Sequence, residues 1–406
     1  MLGLARSGAA VAELLRRRGE RVIGLDGAPA AQLSEVAGRL SDQGVEVHLD
    51  ATDPALLPAH GTLVKSPGVP QDAILVRAAR DRGLTVVGEL ELAWRLLPNP
   101  FIAVTGTNGK TTTTEWIGHI HRVAGAPVAV AGNVGTALST LVDRIDPTTT
   151  IVAECSSFQL EDTLAFAPEA ALLLNLSPDH LDRHGDFASY RAAKLRIFAH
   201  QRPEDLAVLP AGWELDTPAR QIPFDALSAP EVGLPGLHNR RNAAAAAAVC
   251  LDRGLDPARV AQGIRDFPGV PHRLELVAER DGVRYVNDSK ATNVDSTLTA
   301  LASFTSGVHL ILGGQGKAQD FSALVPAVTA RCAAVYLIGE DAPRIAEALA
   351  PAGVPVQRAG DLAGAVALAV PQAGEGATIL LSPACASFDQ FANFEARGEA
   401  FRALVS

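Results

Sequence analysis

Lysine is scarce in this chain. Five lysines (Lys65, Lys110, Lys194, Lys290 and Lys317) stand against 30 arginines in 406 residues. Arginine serves wherever a generic positive charge suffices. The retained lysines therefore point to chemistry a guanidinium cannot do, as a compact point charge or as an amine that loses its proton and reacts. Cysteine is also sparse: Cys155, Cys250, Cys332 and Cys385 are scattered with no C-x-x-C pair, which fits a reducing cytoplasm better than a disulfide framework. No apolar run reaches the length of a membrane span. The formal charge of −10, with no basic stripe to offset it, argues against nucleic acid as the main partner. No targeting segment is expected, because the arginines Arg16, Arg17 and Arg18 follow the opening apolar residues instead of preceding them.

What is present is apolar and long. Hydrophobic residues make up 48% of the chain, and 406 residues exceed what one core usually supports. Apparent strands alternate with helical patterns throughout, the mark of α/β architecture. Three blocks follow: residues 1–88, 89–269 and 270–406. Strands are expected at residues 21–26 and 62–65, then at 101–105, 150–154 and 170–175, then at 283–287, 308–312, 334–338 and 377–381. Helices are expected at residues 9–18, after Lys110, at 190–200 and through the alanine run 243–248, since alanine is the best helix former. The stretch Gly3 to Gly8, followed by a helix, looks like the turn of a dinucleotide-type unit. The strand that belongs before such a turn is expected to be missing.

The sharpest motif is Thr105-Gly106-Thr107-Asn108-Gly109-Lys110-Thr111-Thr112, between an apolar strand and a helix. In that layout backbone N–H groups and a helix N-terminus bind phosphates, the lysine reaches the outer phosphates, and the Thr111 hydroxyl can ligate Mg2+. Val104 stands where the first glycine of the strict pattern belongs. Glu154 closes the apolar run Ile151-Val152-Ala153, and a carboxylate at a buried strand end is costly unless it binds something. Another strand leads into Asp179-His180-Leu181-Asp182-Arg183-His184, a concentration suited to a divalent cation with polyphosphate. A zinc-protease reading fails, because Leu181 stands where that motif needs glutamate. Lys194 lies on a helix between Arg191 and Arg196. In the third block three polar or glycine-rich loops follow separate strands: residues 287–293, 313–317 and 382–391. That is the pattern of a substrate-binding edge.

Taken together these motifs resemble the ATP-dependent Mur ligases of peptidoglycan synthesis, over nearly the whole chain and in motif order. GTNGKT, ECSSFQ, the Asp179-His180 loop, YRAAKLR, GLHNRRNA, PHRLE and NDSKATN carry the resemblance. SPACASFDQFANFEARG, residues 382–398, points to the D-glutamate-adding branch, and the D-N-P-R motif of the diaminopimelate-adding branch has no counterpart. The resemblance implies three domains: a Rossmann-like N-terminal domain for the UDP substrate, a central P-loop ATPase-like domain, and a Rossmann-like C-terminal domain completing the ATP and amino-acid sites. It implies that D-glutamate is joined to UDP-N-acetylmuramoyl-L-alanine through an acyl phosphate, with release of ADP and phosphate. Gly106, Thr107, Asn108, Gly109, Lys110, Thr111 and Thr112 would hold the ATP phosphates, and Asn239, Asn242, Arg273 and Asp288 other parts of ATP. Thr111 and Glu154 would ligate one Mg2+, and His180 with a carbamylated Lys194 a second. Asn133 would contact the reacting groups. Lys290, Thr292, Lys317, Ser387 and Phe388 fall to the substrate side, with Lys317, Ser387 and Phe388 on D-glutamate, and Ser7, Ser66 and Gly68 on the UDP portion. A cytoplasmic monomer is expected.

Besides the missing first strand, two departures from the family pattern stand out. Asp26-Gly27-Ala28 lacks a hydroxyl and an arginine, and Phe388 replaces a leucine. Three alternatives remain open at this level: a relative adding another amino acid, a non-catalytic nucleotide-binding relative, and a simple P-loop ATPase or kinase.

Overall fold

A computed structural model describes residues 1–28, 30–133, 135–225, 231–234, 236–316 and 319–406, with the backbone alone for residues 6, 30–32 and 182. The chain divides into two compact units, Met1–Glu231 with Arg241–Asp266, and Val232–Arg240 with Phe267–Ser406.

In the first unit β1 (Ile23–Leu25) pairs in parallel with β2 (Glu46–His48), and β3 (Thr62–Lys65) with β4 (Thr85–Gly88). Residues Met1 to Gly3 lie between the pairs, Leu2 bridging both Leu25 and Lys65. Leu2 N–H donates to the Val64 carbonyl, and Ser66 N–H to that of Leu2, each at 2.8 Å. The contact is an isolated bridge and not a strand, so a short pairing stands before the Gly3–Gly8 turn where a missing strand was expected. Pairing needs only backbone groups, and the side chains of Leu2 and Leu4 bury on either side. β1 is shorter than expected because the Asp26 carboxylate accepts from the N–H groups of Leu4 and Ala28, which turns the chain out of the strand. The helix expected at 9–18 spans Arg6–Arg17.

The larger sheet of this unit holds β5 (Phe101–Thr105), β6 (Val128–Gly132), β7 (Thr150–Glu154), β8 (Ala170–Leu173), β9 (Leu206–Pro210) and β10 (Arg220–Phe224). Their order is β10-β9-β8-β5-β7-β6, all parallel. β5 and β8 are buried at every position, as continuous apolar runs are when both faces of a sheet are covered. β6, β9 and β10 were not anticipated; β10 is a mostly exposed edge strand with a proline, which a hydrophobic pattern does not reveal.

The second unit contains β11 (Glu275–Arg280), β12 (Val283–Asn287), β13 (Val308–Gly313), β14 (Cys332–Ile338), β15 (Val356–Gly360) and β16 (Thr378–Leu381), in the order β11-β12-β16-β13-β14-β15. β11 alone runs antiparallel to its neighbour. The alanine run lies in the helix Leu237–Asp252, with Ala243 to Ala247 buried. All four cysteines are free thiols. Among the described residues no helix is long and apolar enough to cross a membrane.

Candidate active site

The ends of β5, β6, β7 and β8 reach one edge of the six-stranded sheet, where ligands of open α/β sheets bind. Past β5 the chain turns through Gly106 into helix Lys110–Val123. Gly109 has φ of 85°, and a Cβ there would stand 2.4 Å from Asn242 Oδ1, so both backbone conformation and space demand glycine. No side chain caps the helix, whose N-terminus is the kind of site that binds an anion. Asn175, just past β8, clamps the loop from both sides. Its Oδ1 accepts from Asn108 N–H and its Nδ2 donates to the Asn108 carbonyl, each at 2.9 Å. The Thr107 hydroxyl lies 2.9 Å from that of Tyr190, and the Lys110 ammonium donates to the carbonyls of Gly106 and Thr107. Thr112 is buried in the helix.

Glu154 ends β7 and is 4% exposed. The Thr111 hydroxyl donates to its Oε2 at 2.6 Å, and Asn133 Nδ2 to its Oε1 at 3.2 Å. Gly132 makes this approach possible, since a Cβ there would stand 2.3 Å from the Glu154 carbonyl oxygen. Lys194, near the end of helix Phe187–Leu195, is 2% exposed, and its Nζ donates to the Gly106 carbonyl at 2.8 Å. Burial first, and then repulsion from Lys110, hold its pKa well below the ordinary lysine range, which favours the neutral amine. His180 precedes the short helix Leu181–His184 with φ of 53°, left-handed backbone that a non-glycine residue seldom adopts. Its ring packs edge-on against Phe158 at 4.8 Å.

Ser66 and Gly68 lie in the turn after β3. A cavity of about 330 Å³ beside this turn is lined by Gly3, Asp26, Gly27, Gly68 and Val69 among others. Ser7 is half-buried in the first helix.

In the second unit β12, β16 and β13 are neighbours, so the three loops singled out by sequence emerge side by side. Asp288 is fully buried. It accepts from the Ser382 hydroxyl at 2.9 Å and the Leu274 N–H at 3.2 Å, with Arg273 Nη1 at 3.8 Å. Burial outweighs these partners and pushes its pKa up to about 6. Asn239 is buried, Lys290 Nζ lies over the Phe394 ring at 4.6 Å, and Thr292 N–H donates to the Lys290 carbonyl. Ser387 is buried, whereas Phe388 is 69% exposed. Lys317 lies outside the described residues. Sequence reasoning passed over Arg397, which donates to Ser289 and to the carbonyls of Cys385 and Ala386, and so ties two of the loops together. It also passed over the Asn175 clamp, whose signal was a polar residue directly after a wholly apolar strand.

The family pattern described as Mur ligase middle domain matches residues 104–222, and that described as Mur ligase, glutamate ligase domain, matches residues 272–385. The UDP-N-acetylmuramoylalanine--D-glutamate ligase of Pelotomaculum thermopropionicum is 40% identical over 441 residues, covering all of this chain and 96% of its own length. The protein of the same name from Acidobacterium capsulatum is 42% identical over 439 residues, covering all of this chain and 95% of its own. Among solved structures, UDP-N-acetylmuramate-alanine ligase MurC from Thermotoga maritima shares the fold, with a TM-score of 0.60 at 20% identity over 98% of this chain and 97% of that one. MurF from Acinetobacter baumannii matches with a TM-score of 0.62 at 16% identity over 96% of this chain and 91% of that one.

Proposed function

The chain belongs to the Mur ligase family, and on that premise we propose that it joins D-glutamate to UDP-N-acetylmuramoyl-L-alanine at the expense of ATP. The observation that carries the reading is the full-length similarity to relatives named for that reaction, at 40–42% identity across all of this chain. A carboxylate is a poor electrophile. Phosphorylating the L-alanyl carboxylate creates a leaving group, the D-glutamate amine attacks the acyl phosphate, and phosphate departs from the tetrahedral intermediate.

The chain's own groups suit the activation half of this reaction. The uncapped helix start and Lys110 would bind the phosphates and stabilise charge that builds up during transfer. Asn133, already held against Glu154, would orient the reacting groups. Thr111 and Glu154, 2.6 Å apart, offer the hard oxygen donors that Mg2+ prefers. Oxygens of the bound phosphates would complete the coordination. Bound there, the ion would neutralise phosphate charge and polarise the transferred group. His180 and Lys194 would serve a second ion. For that role Lys194 must become a carbamate, and its buried amine with a depressed pKa fits the need for an unprotonated nucleophile.

In the second unit Asn239, Arg273 and Asp288 would serve ATP, and Lys290, Thr292, Lys317, Ser387 and Phe388 the substrates, Lys317 pairing with a D-glutamate carboxylate. Asn242, beside Gly109, would serve ATP from the first unit. Three functional domains (1–88, 89–269 and 270–406) and a monomer acting in the cytoplasm complete the proposal. ADP release with UDP-N-acetylmuramoyl-L-alanine, each candidate amino acid supplied in turn, tests it. D-glutamate alone should support turnover. Equal turnover with L-alanine, L-lysine or diaminopimelate overturns it.

A further inference from the structure

Lys65 is the one early lysine to which the reaction gives no task, and the structure buries it completely. It closes β3 and opens the turn bearing Ser66 and Gly68. Its Nζ forms an ion pair with Asp162 Oδ2 at 2.7 Å and donates to the Val69 carbonyl at 2.8 Å. Gln71 Nε2 donates to the other carboxylate oxygen of Asp162 at 2.7 Å, and Gly88 N–H to the Asp162 carbonyl at 2.9 Å. A second cation reaches the same turn and shares the Val69 carbonyl with Lys65. Arg183 Nη2 donates to the carbonyls of Val69 (2.8 Å) and Pro67 (3.3 Å), and its Nη1 to that of Gly68 (3.5 Å). Nη2 also pairs with Glu161 at 2.9 Å. Two cations and two carboxylates thus balance in a largely water-free place, where each pair depends on its geometry.

Arg183 sits three residues past His180, and its guanidinium lies 4.8 Å above the Phe158 ring. His180 contacts the same ring edge-on, and His184 stacks on it at 5.4 Å. Asp162 and Glu161 follow helix Ser157–Leu160, which itself follows Glu154 by two residues. The turn beside the 330 Å³ cavity and the loop carrying His180 are therefore fixed to one another through Arg183, Phe158 and the two carboxylates.

We propose that Lys65 and Arg183 are positioning residues that latch the carbonyls of the Pro67–Val69 turn to the segments bearing Glu154 and His180, so that the UDP end of the substrate and the phosphate-binding site hold one register. The latch acts through the turn and touches no reacting atom. It rests on the reading that Ser66 and Gly68 contact the UDP portion. Arginine cannot replace Lys65, because its fork exceeds the space around a single carboxylate and one carbonyl. Lysine cannot replace Arg183, because one ammonium does not span three carbonyls and Glu161 together.

The test compares three full-length variants: Arg183→Gln, Arg183→Lys and the charge-neutral pair Lys65→Met with Asp162→Asn. The melting temperature, ATP affinity, and KM and kcat for UDP-N-acetylmuramoyl-L-alanine are measured for each. Arg183→Gln should raise the KM for the UDP substrate by at least about tenfold, the factor carried by one charge-assisted hydrogen bond. Its ATP affinity should stay within about twofold of the wild type, and kcat should fall with the lost register. Arg183→Lys should recover only part of the KM, and the neutral pair should behave like Arg183→Gln. If the neutral pair fails to fold, Arg183→Gln decides alone, since 15% of that side chain is exposed against none of Lys65. Wild-type KM and kcat for the UDP substrate in a variant that melts like the wild type overturns the latch. So does an equal loss of ATP and UDP-substrate affinity, which is the signature of a merely structural role. An inactive wild type would instead remove the underlying reading of the turn, and the latch with it.

Discussion

Lys110 and Lys194 donate to the same oxygen, the Gly106 carbonyl, at 2.9 and 2.8 Å. Two ammonium groups on one acceptor repel each other. Lys110 sits in the phosphate loop and is half-buried, whereas Lys194 is buried, so Lys194 is the one driven toward its neutral form. A neutral amine is also the form that reacts with carbon dioxide.

Lys194→Ala should lose nearly all turnover, and short-chain carboxylates added in its place should restore part of it. Lys194→Arg should be as poor as the alanine variant, because a fixed cation cannot become an oxygen ligand. Removal of dissolved carbon dioxide should slow the wild type, and bicarbonate should restore it. Substantial activity of the arginine variant in steady-state assays would reduce Lys194 to a source of charge.

Lys110→Ala should abolish ADP release, a loss of at least about a hundredfold for one group stabilising transition-state charge. The melting temperature should change little, since its carbonyl partners Gly106 and Thr107 lie in a loop that Asn175 clamps independently. Wild-type turnover in this variant would show that another residue serves the phosphates.

Asp288 gives a pH signature. Burial raises its folded pKa to about 6 from 3.8, so the folded state holds the proton more tightly than the unfolded one. The associated stability is fully present below pH 3.8 and is lost as pH rises through about 6. The loss amounts to about 3 kcal/mol in ligand-free protein, at 1.36 kcal/mol per pH unit. Asp288→Asn should therefore gain stability over the wild type as pH is raised from about 3.8 to 7.5, with most of the gain in place by about pH 6. Parallel melting curves of the two proteins across that range would contradict the assignment.

Ahead of Met1, between β1 and β3, lies a cavity of about 220 Å³ lined by Leu15, Val22, Ile23, Leu57, Leu63 and Leu84 among others. The Met1 ammonium is buried at its end and donates to the Ile23 carbonyl at 2.7 Å, and burial lowers its pKa to about 6. A version extended upstream by about 5–6 residues of strand-forming sequence should fill this slot and pair with both flanking strands. It should melt higher by several degrees and bind the UDP substrate more tightly, with ATP affinity unchanged. Identical melting and identical UDP-substrate binding would show that the slot contributes nothing.

Much of the site was legible in residue order. GTNGKT and Glu154 follow apolar runs that read as strands of an α/β fold, and Lys194 reads as part of a helix. The exposed edge strands β10 and β11 were not legible, because solvent removes the hydrophobic signal, and the apolar, buried β9 was passed over as well. The short pairing of Met1 to Gly3 was not legible either, because backbone groups make it and side-chain pattern does not record them.

The sequence by itself determined the α/β class, the phosphate loop and the set of residue types available for chemistry. These depend on local patterns: glycines where φ is positive, apolar runs where strands are buried, and lysine kept where arginine would serve elsewhere. Only the tertiary structure decided which side chains meet. Asn175 clamps Asn108 across 67 residues, and Lys65 finds Asp162 across 97 by the numbering. Lys194 reaches the Gly106 carbonyl across 88. Such partners are chosen by the order in which strands pair and by the exclusion of water around them, and neither is a property of any single stretch of chain.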